Sequence, residues 1–183
     1  WNPPEKGGVF LFPFAKEKSP ITGGTGMVGQ SLTNLLLAKG YEVIVLTRQK
    51  KQSSRTHFSY AQWDVKKGWI DPSAIAAADY IIHLAGEGVA DKRWTTARKK
   101  AILDSRVDTS ALIVKSLKDN PNKVKAIVAA SAIGWYGPDN EKSLQTGFVE
   151  TDPVDSSFLG DTCKLWEESM HPVKEMGIRL VTI

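Results

Sequence analysis

Several things are scarce in this sequence, and each scarcity removes a class of protein. Among 183 residues there is one cysteine, Cys163. No internal disulfide can form, which fits a reducing compartment and makes the cytoplasm the expected location. Long apolar runs are missing as well. The segment from Val9 to Ala15 contains a proline and falls well short of the roughly 20 residues that span a bilayer. It has neither a basic leader nor a small-residue cleavage site, so neither a secretory signal nor a membrane partner is expected. His57 and His171 have no ligand spacing with each other or with Cys163, so no metal is expected. The charge surplus is only +4, and lysine and arginine cluster only at Arg48–Arg55 and Lys92–Lys100. Without a basic face or a recognition motif, nucleic acid is not an expected partner.

What is present is a rhythm. A short β-branched run, a turn and a longer amphipathic stretch recur along the chain, which is the βαβ signature of a parallel sheet. "GMVGQSLTNLLLAKG" spaces Met27, Val28, Leu32, Leu35 and Leu36 by three and four, predicting a helix that Gly40 ends. "YEVIVLTR" and "YIIHLAG" predict strands, followed by a long helix that stops near Pro121. "KVKAIVAAS", a helix broken near Pro172 and "IRLVTI" complete the pattern. Right-handed crossovers make a doubly wound α/β sheet of order 3-2-1-4-5-6 the expected fold. Its first strand is awkward. "KEKSPIT" offers only Ile21 as an apolar residue and includes Pro20, so "GVFLFPF" (Gly7 to Phe14) competes for the role.

"GGTGMVG" carries both a Gly23-x-x-Gly26-x-x-Gly29 and a Gly24-x-Gly26-x-x-Gly29 spacing. Such glycines permit a tight turn, close approach of backbone to a pyrophosphate, and packing of helix on strand. An acid about 20 residues further on would select NAD, but none lies between Val45 and Arg55. Arg48 ends the second strand instead, and its planar fork suits a 2′-phosphate. NADP is therefore the expected cofactor, with NAD as second choice.

The glycine loop, "WD" at Trp63–Asp64, "IIHLAGEGVADKRW", "SAIGWYG" and "WEE" occur here in order. With them the chain resembles the extended short-chain dehydrogenase/reductase superfamily, in its NAD(P)-dependent epimerase/dehydratase branch of the SDR39U1-like type. The resemblance covers about Ile21 to Ile183 and implies a three-layer Rossmann domain over residues 19–183, after an atypical segment 1–18. It further implies a small C-terminal substrate domain that this sequence lacks. It assigns the phosphate loop to Gly23, Thr25, Gly26, Met27, Val28 and Gly29, and the 2′-phosphate to Thr47 and Arg48. Asp64 is implied at the adenine, Leu84, Ala85 and Gly86 beside a ribose, and Arg106 as a further cofactor contact.

Catalysis across that superfamily is associated with a serine and a Tyr-x-x-x-Lys pair, in which the lysine eases proton exchange by the phenol. The four tyrosines here, Tyr41, Tyr60, Tyr80 and Tyr136, are followed four residues later by Val45, Asp64, Leu84 and Asn140. The positions that align with the pair are Leu159 and Cys163. Ser131 and Tyr136 are the remaining catalytic candidates, with Glu87, Asp91 and Trp94 as candidate substrate contacts. Trp94 is expected chiefly to pack before the long helix, Arg98 to lie on that helix's solvated face, and His83 to be a satisfied buried imidazole. The expected function is hydride transfer on a small hydroxyl or carbonyl substrate, of sugar-like type. The alternative is an NADP(H)-binding sensor without turnover. A homodimer is one assembly open to either.

Overall fold

The computed structural model of the protein describes residues 17–183. Seven strands form one sheet: β1 (Lys18–Thr22), β2 (Glu42–Thr47), β3 (Phe58–Asp64), β4 (Trp69–Ile70), β5 (Tyr80–His83), β6 (Ala126–Ala129) and β7 (Arg179–Thr182). Their spatial order is β4-β3-β2-β1-β5-β6-β7, and every neighbouring pair is parallel except β3 with β4. The six parallel strands have the expected 3-2-1-4-5-6 order, and β4 adds a short antiparallel edge. The helices are α1 (Met27–Ala38), α2 (Pro72–Ala77), α3 (Thr96–Asp119), α4 (Glu141–Thr146), α5 (Phe158–Met170) and α6 (Pro172–Glu175).

The damaged-looking segment is the first strand; the competing "GVFLFPF" lies outside the described residues. Pro20 sits in the middle of the sheet because its neighbours divide the work. β1 pairs with β2 from Lys18 to Ile21, but with β5 only at Ile21 and Thr22. Below that point the gap is bridged by Asp79, whose N–H donates to the Lys18 carbonyl (2.9 Å) while its carboxylate accepts from the Lys18 N–H (2.9 Å). The ladder bond that a proline cannot donate is never required.

Alternation along β2 feeds two cores. Ile44 and Leu46 face the larger one, with α2, α3, α6 and the far face of β6. Val43 and Val45 join Ile21 and Ile82 under α1. α1 meets this thinner core with only part of the expected apolar set, Leu32 and Leu36. Met27, Val28 and Leu35 are 84%, 61% and 53% exposed, whereas Gly29 and Thr33 are buried and Leu32, Leu36 and Leu37 pack inward. The reason is steric: Gly29 must lie on the glycine turn, and that requirement sets the helix rotation. No helix crosses over between β2 and β3. Residues 48–57 join them directly, leaving Phe58 and Tyr60 in edge-to-face contact beside α1.

Beneath the sheet's central edge lies a polar core. The Thr22 hydroxyl oxygen accepts the N–H groups of Leu84 (3.1 Å) and Ala85 (3.2 Å) and lies 2.6 Å from His83 Nδ1. With its oxygen occupied by two donors, that hydroxyl donates to Nδ1, so Nε2 carries the ring hydrogen and donates to Ser110 (3.1 Å). His83 is thus satisfied while neutral, and burial pulls its pKa from 6.5 down to about 4. Since the unfolded chain takes up this proton and the folded one does not, stability should fall as pH drops from about 6.5 towards 4. The integrated loss is about 3 kcal/mol. Urea unfolding at pH 7.5, 5.5 and 4.5 measures it, and His83→Asn is expected to flatten that dependence.

Candidate functional site

The strand order reverses between β1 and β5, and a crevice at their carboxyl ends is where ligands of such sheets bind. The glycine turn enters it from β1. Gly23 has φ +69°, and a β-carbon there would stand 2.7 Å from the Leu84 carbonyl oxygen. One at Gly24 would stand 2.8 Å from the Val45 methyl groups. At Gly29 it would collide with the Gly23 carbonyl and lie 2.5 Å from Gly24 Cα. Gly26 differs: its only neighbour would be the Gly23 carbonyl oxygen at 3.3 Å, so it borders open space. It also caps α1 without any side-chain hydrogen bond, and no acid lies in the first turn. The amides and positive end of α1 therefore face the opening between exposed Thr25, Met27 and Val28.

Across the crevice, Leu84 and Ala85 are fixed by Thr22, and Gly86 leaves room for a guanidinium. A β-carbon at Gly86 would stand 3.1 Å from Arg106 Cζ. Arg106 lies over the Trp166 ring (5.0 Å) and donates to the carbonyls of Glu87 (3.1 Å) and Ile102 (2.9 Å). Burial lowers its pKa, with Cys163 and Glu87 opposing. At the outer strands, Thr47 is buried and donates to the Gln49 carbonyl (2.7 Å), a turn-closing bond. Arg48 is exposed, and its side chain has no hydrogen bond or ion pair among the described residues. Asp64 caps the following turn at Lys67 N (3.1 Å).

The loop after β5 is organised by a residue expected on a solvated face. The Arg98 side chain is only 12% exposed; it pairs with Glu87 (3.0 Å), lies 3.8 Å from Asp91 and donates to the Gly88 carbonyl. Trp94 is not a core residue. It is 42% exposed, donates from Nε1 to the Val89 carbonyl (2.7 Å) and meets Phe158 edge-on. Glu87, Asp91 and Trp94 thus share one loop, held from α3.

At the carboxyl end of β6 the two catalytic candidates part company. Ser131 donates to Glu167 Oε1 at 2.5 Å, across from β6 to α5. Tyr136 stacks on Phe148, with centroids 4.9 Å apart. No hydrogen bond joins Ser131 to Tyr136 among the described residues. Gly134 lets this loop press on α5, since its β-carbon would stand 2.9 Å from Leu159 Cβ and 3.5 Å from Cys163 Sγ. The thiol of Cys163 donates to the Ala132 carbonyl (3.6 Å), and burial raises its pKa, with the Glu167 carboxylate adding to the rise. Glu167 escaped sequence reasoning because its partner is 36 residues away; the "WEE" motif was the available signal. Among the described residues, no three His, Cys, Asp or Glu side chains gather as a metal site, and no helix is long and apolar enough to cross a membrane.

An open parallel sheet whose glycine turn delivers a helix N-terminus to the strand-order switch is a Rossmann-type nucleotide-binding domain. Residues 20–165 match the NAD dependent epimerase/dehydratase family. Epimerase family protein YfhF of Bacillus subtilis is 34% identical over 161 residues, 88% of this chain and 52% of that protein. Epimerase family protein SH2119 of Staphylococcus haemolyticus is 35% identical over the same shares. The chain belongs to this family, and it spans about half the length of the curated relatives it matches. Among solved structures, human epimerase family protein SDR39U1 with NADPH superposes with a TM-score of 0.68 at 28% identity, covering 84% of this chain and 48% of that one. A nucleoside-diphosphate sugar epimerase from Corynebacterium glutamicum gives 0.72 at 28% identity, covering 92% and 33%.

The glycines separate into structural and open positions, which stability measurements can distinguish. Gly29→Ala should cost about 1–3 kcal/mol by overpacking the turn, whereas Gly26→Ala should stay within about 0.5 kcal/mol. Equal losses in chemical denaturation would contradict this division.

Proposed function

We propose that this chain is the cofactor-binding half of an NADP(H)-dependent oxidoreductase or epimerase acting on a small hydroxyl or carbonyl compound of sugar-like type. Residues 19–183 form the nucleotide-binding domain, and the working compartment is the cytoplasm. The observation that carries the reading is the open Gly26 turn at an uncapped helix N-terminus, followed after β2 by a cationic, acid-free segment beginning at Arg48. The human relative determined with NADPH supports the same cofactor.

These residues fit a dinucleotide. The α1 amides would hold the pyrophosphate, Arg48 would meet a 2′-phosphate, and Leu84, Ala85, Gly86 and Arg106 would line the ribose side. When bound, NADP(H) supplies hydride exchange. The chain must then handle a proton without a Tyr-Lys pair. Ser131 is the group suited to it, because Glu167 holds its hydroxyl at 2.5 Å and can accept the proton it passes on. Tyr136, stacked on Phe148, is the second candidate. Glu87, Asp91 and Trp94 would meet the substrate from their loop.

One observation favours a second reading, cofactor sensing without turnover. At the positions aligned with the Tyr-Lys pair, α5 presents Leu159 and a neutral, buried Cys163 to the Gly134 loop.

Calorimetric titration should give tighter binding of NADPH than NADH, and Gly26→Val should abolish both while leaving circular dichroism unchanged. Equal wild-type affinities would overturn the NADP reading. The full-length protein, assayed for NADPH oxidation against a panel of carbonyl compounds and for sugar epimerisation, separates the two readings. Ser131→Ala and Glu167→Gln should each lower kcat by roughly 100-fold or more with NADPH affinity retained. Undiminished turnover removes the pair from the mechanism; no turnover with any substrate favours the sensor.

A further inference from the structure

The Tyr-x-x-x-Lys pair of the wider superfamily brings a positive charge to the reacting edge, and α5, the helix that aligns with it, turns none inward. Cys163 stands at the lysine's position and is 3% exposed. Lys164 follows it in the sequence, but one step along a helix swings the side chain by about 100°, and Lys164 is exposed. It does not share the face on which Cys163 meets the Gly134 loop.

A cation arrives from α3 instead. Arg106 Cζ lies 5.0 Å from the centre of the Trp166 ring, and Trp166 is three residues beyond Cys163, on the same face of α5. The guanidinium is held by the carbonyls of Glu87 (3.1 Å) and Ile102 (2.9 Å) and forms no ion pair among the described residues. Two acids of this edge are committed elsewhere, Glu87 to Arg98 (3.0 Å) and Glu167 to Ser131 (2.5 Å). The charge of Arg106 is therefore left uncompensated. It also reaches the Cys163 position, where burial and then the Glu167 carboxylate raise the thiol's pKa while Ser131 and Arg106 oppose the rise. Burial lowers the pKa of Arg106 itself, with Cys163 and Glu87 opposing and Arg98 adding to the fall, yet a guanidinium keeps its proton at any working pH.

We propose that Arg106 supplies, from α3, the positive charge that the superfamily's pair draws from its lysine, and that Ser131 and Glu167 are the proton-handling unit it serves. The proposal rests on the oxidoreductase reading and deepens it, giving Arg106 a task at the reacting edge besides lining the cofactor. Ser131 stands between a proton it receives and one it gives to Glu167, so its oxygen gains negative charge whenever the second moves ahead of the first. The neighbouring carboxylate makes that charge costlier. A fixed cation at the same edge offsets it, and the lysine position can then hold a small neutral thiol.

The test uses the full-length protein, with NADPH affinity from calorimetry and kcat at saturating NADPH over the panel of carbonyl compounds. Arg106→Met should lower kcat roughly 10- to 100-fold, whereas Arg106→Lys, which keeps the charge, should stay within about 5-fold of wild type. Adding Cys163→Lys to Arg106→Met returns a cation to α5 and should recover about 3- to 10-fold of the loss. With Arg106 present the same lysine meets a like charge, so Cys163→Lys should lower the urea midpoint more in the wild-type background than in Arg106→Met. Weakened NADPH binding with kcat unchanged would overturn the proposal, leaving Arg106 a cofactor contact and the oxidoreductase reading intact. Equal losses of kcat in Arg106→Lys and Arg106→Met would overturn it as well, since shape rather than charge would then matter. So would identical midpoint shifts in the two backgrounds. Where Cys163→Lys fails to fold in both, the comparison of Arg106→Lys with Arg106→Met decides alone. A wild type without turnover on any substrate would remove both the proposal and the reading beneath it.

Discussion

The crevice depends on the hydrogen bonds gathered by one hydroxyl. Thr22 closes β1, receives two amides from the start of the loop after β5, and gives its own hydrogen to His83. These bonds fix the spacing between the two strand ends at the point where the topology turns back. Gly23 can then fold tightly against Leu84, and Gly29 can rest on Gly23. The rotation of α1, and with it the direction of its free amides, follows from that chain of contacts. Buried polar clusters of this kind are favourable only when every member is satisfied. The neutral His83, bonded at both ring nitrogens, meets that condition.

The two sides of the crevice are built on different principles. The cofactor side is made of absences: missing side chains at the glycines, a missing acid after β2 and a missing helix before β3. The β6 side is made of substitutions. Gly134 draws its loop onto α5 where Leu159 and Cys163 stand, and the polar contact moves one turn further along the helix, to Glu167. The Ser131 hydroxyl, held by the Glu167 carboxylate, thus has a negative rather than a positive neighbour, unlike a phenol beside an ammonium. Arg106, stacked on Trp166 beside Cys163, keeps a cation close to that edge.

Most of the architecture was legible because hydrophobic period and turn glycines are local signals. Topology followed from the handedness of crossovers. β3 and β4 gave little signal: β3 alternates half-buried and buried residues, and β4 is two residues long. On α1, Leu32 and Leu36 pack inward as their spacing predicts, whereas Met27 and Val28, though apolar, border the opening, and a glycine and a threonine join the packing in their place. On the site side, the tight glycine turn could be read by spacing. Arg98 and Glu167 could not, since their roles depend on partners brought near only by the folded loop and by the docking of α5 on β6. Pro20 looked disqualifying for a central strand; the side-chain bridge from Asp79, 61 residues away, removes the objection.

The direct β2–β3 connection also bears on how the chain finds its fold. Among the parallel pairs of this sheet, β2 and β3 are separated by the shortest stretch, residues 48–57, while β6 and β7 are separated by residues 130–178. Closing a loop costs entropy that grows with its length. The β2–β3 pair is therefore the least costly parallel contact to form, and β1 needs only α1 to join it. The far half must wait for α3, α4 and α5 to be gathered. Assembly should begin on the nucleotide side of the molecule, with the β6–α5 edge consolidated afterwards.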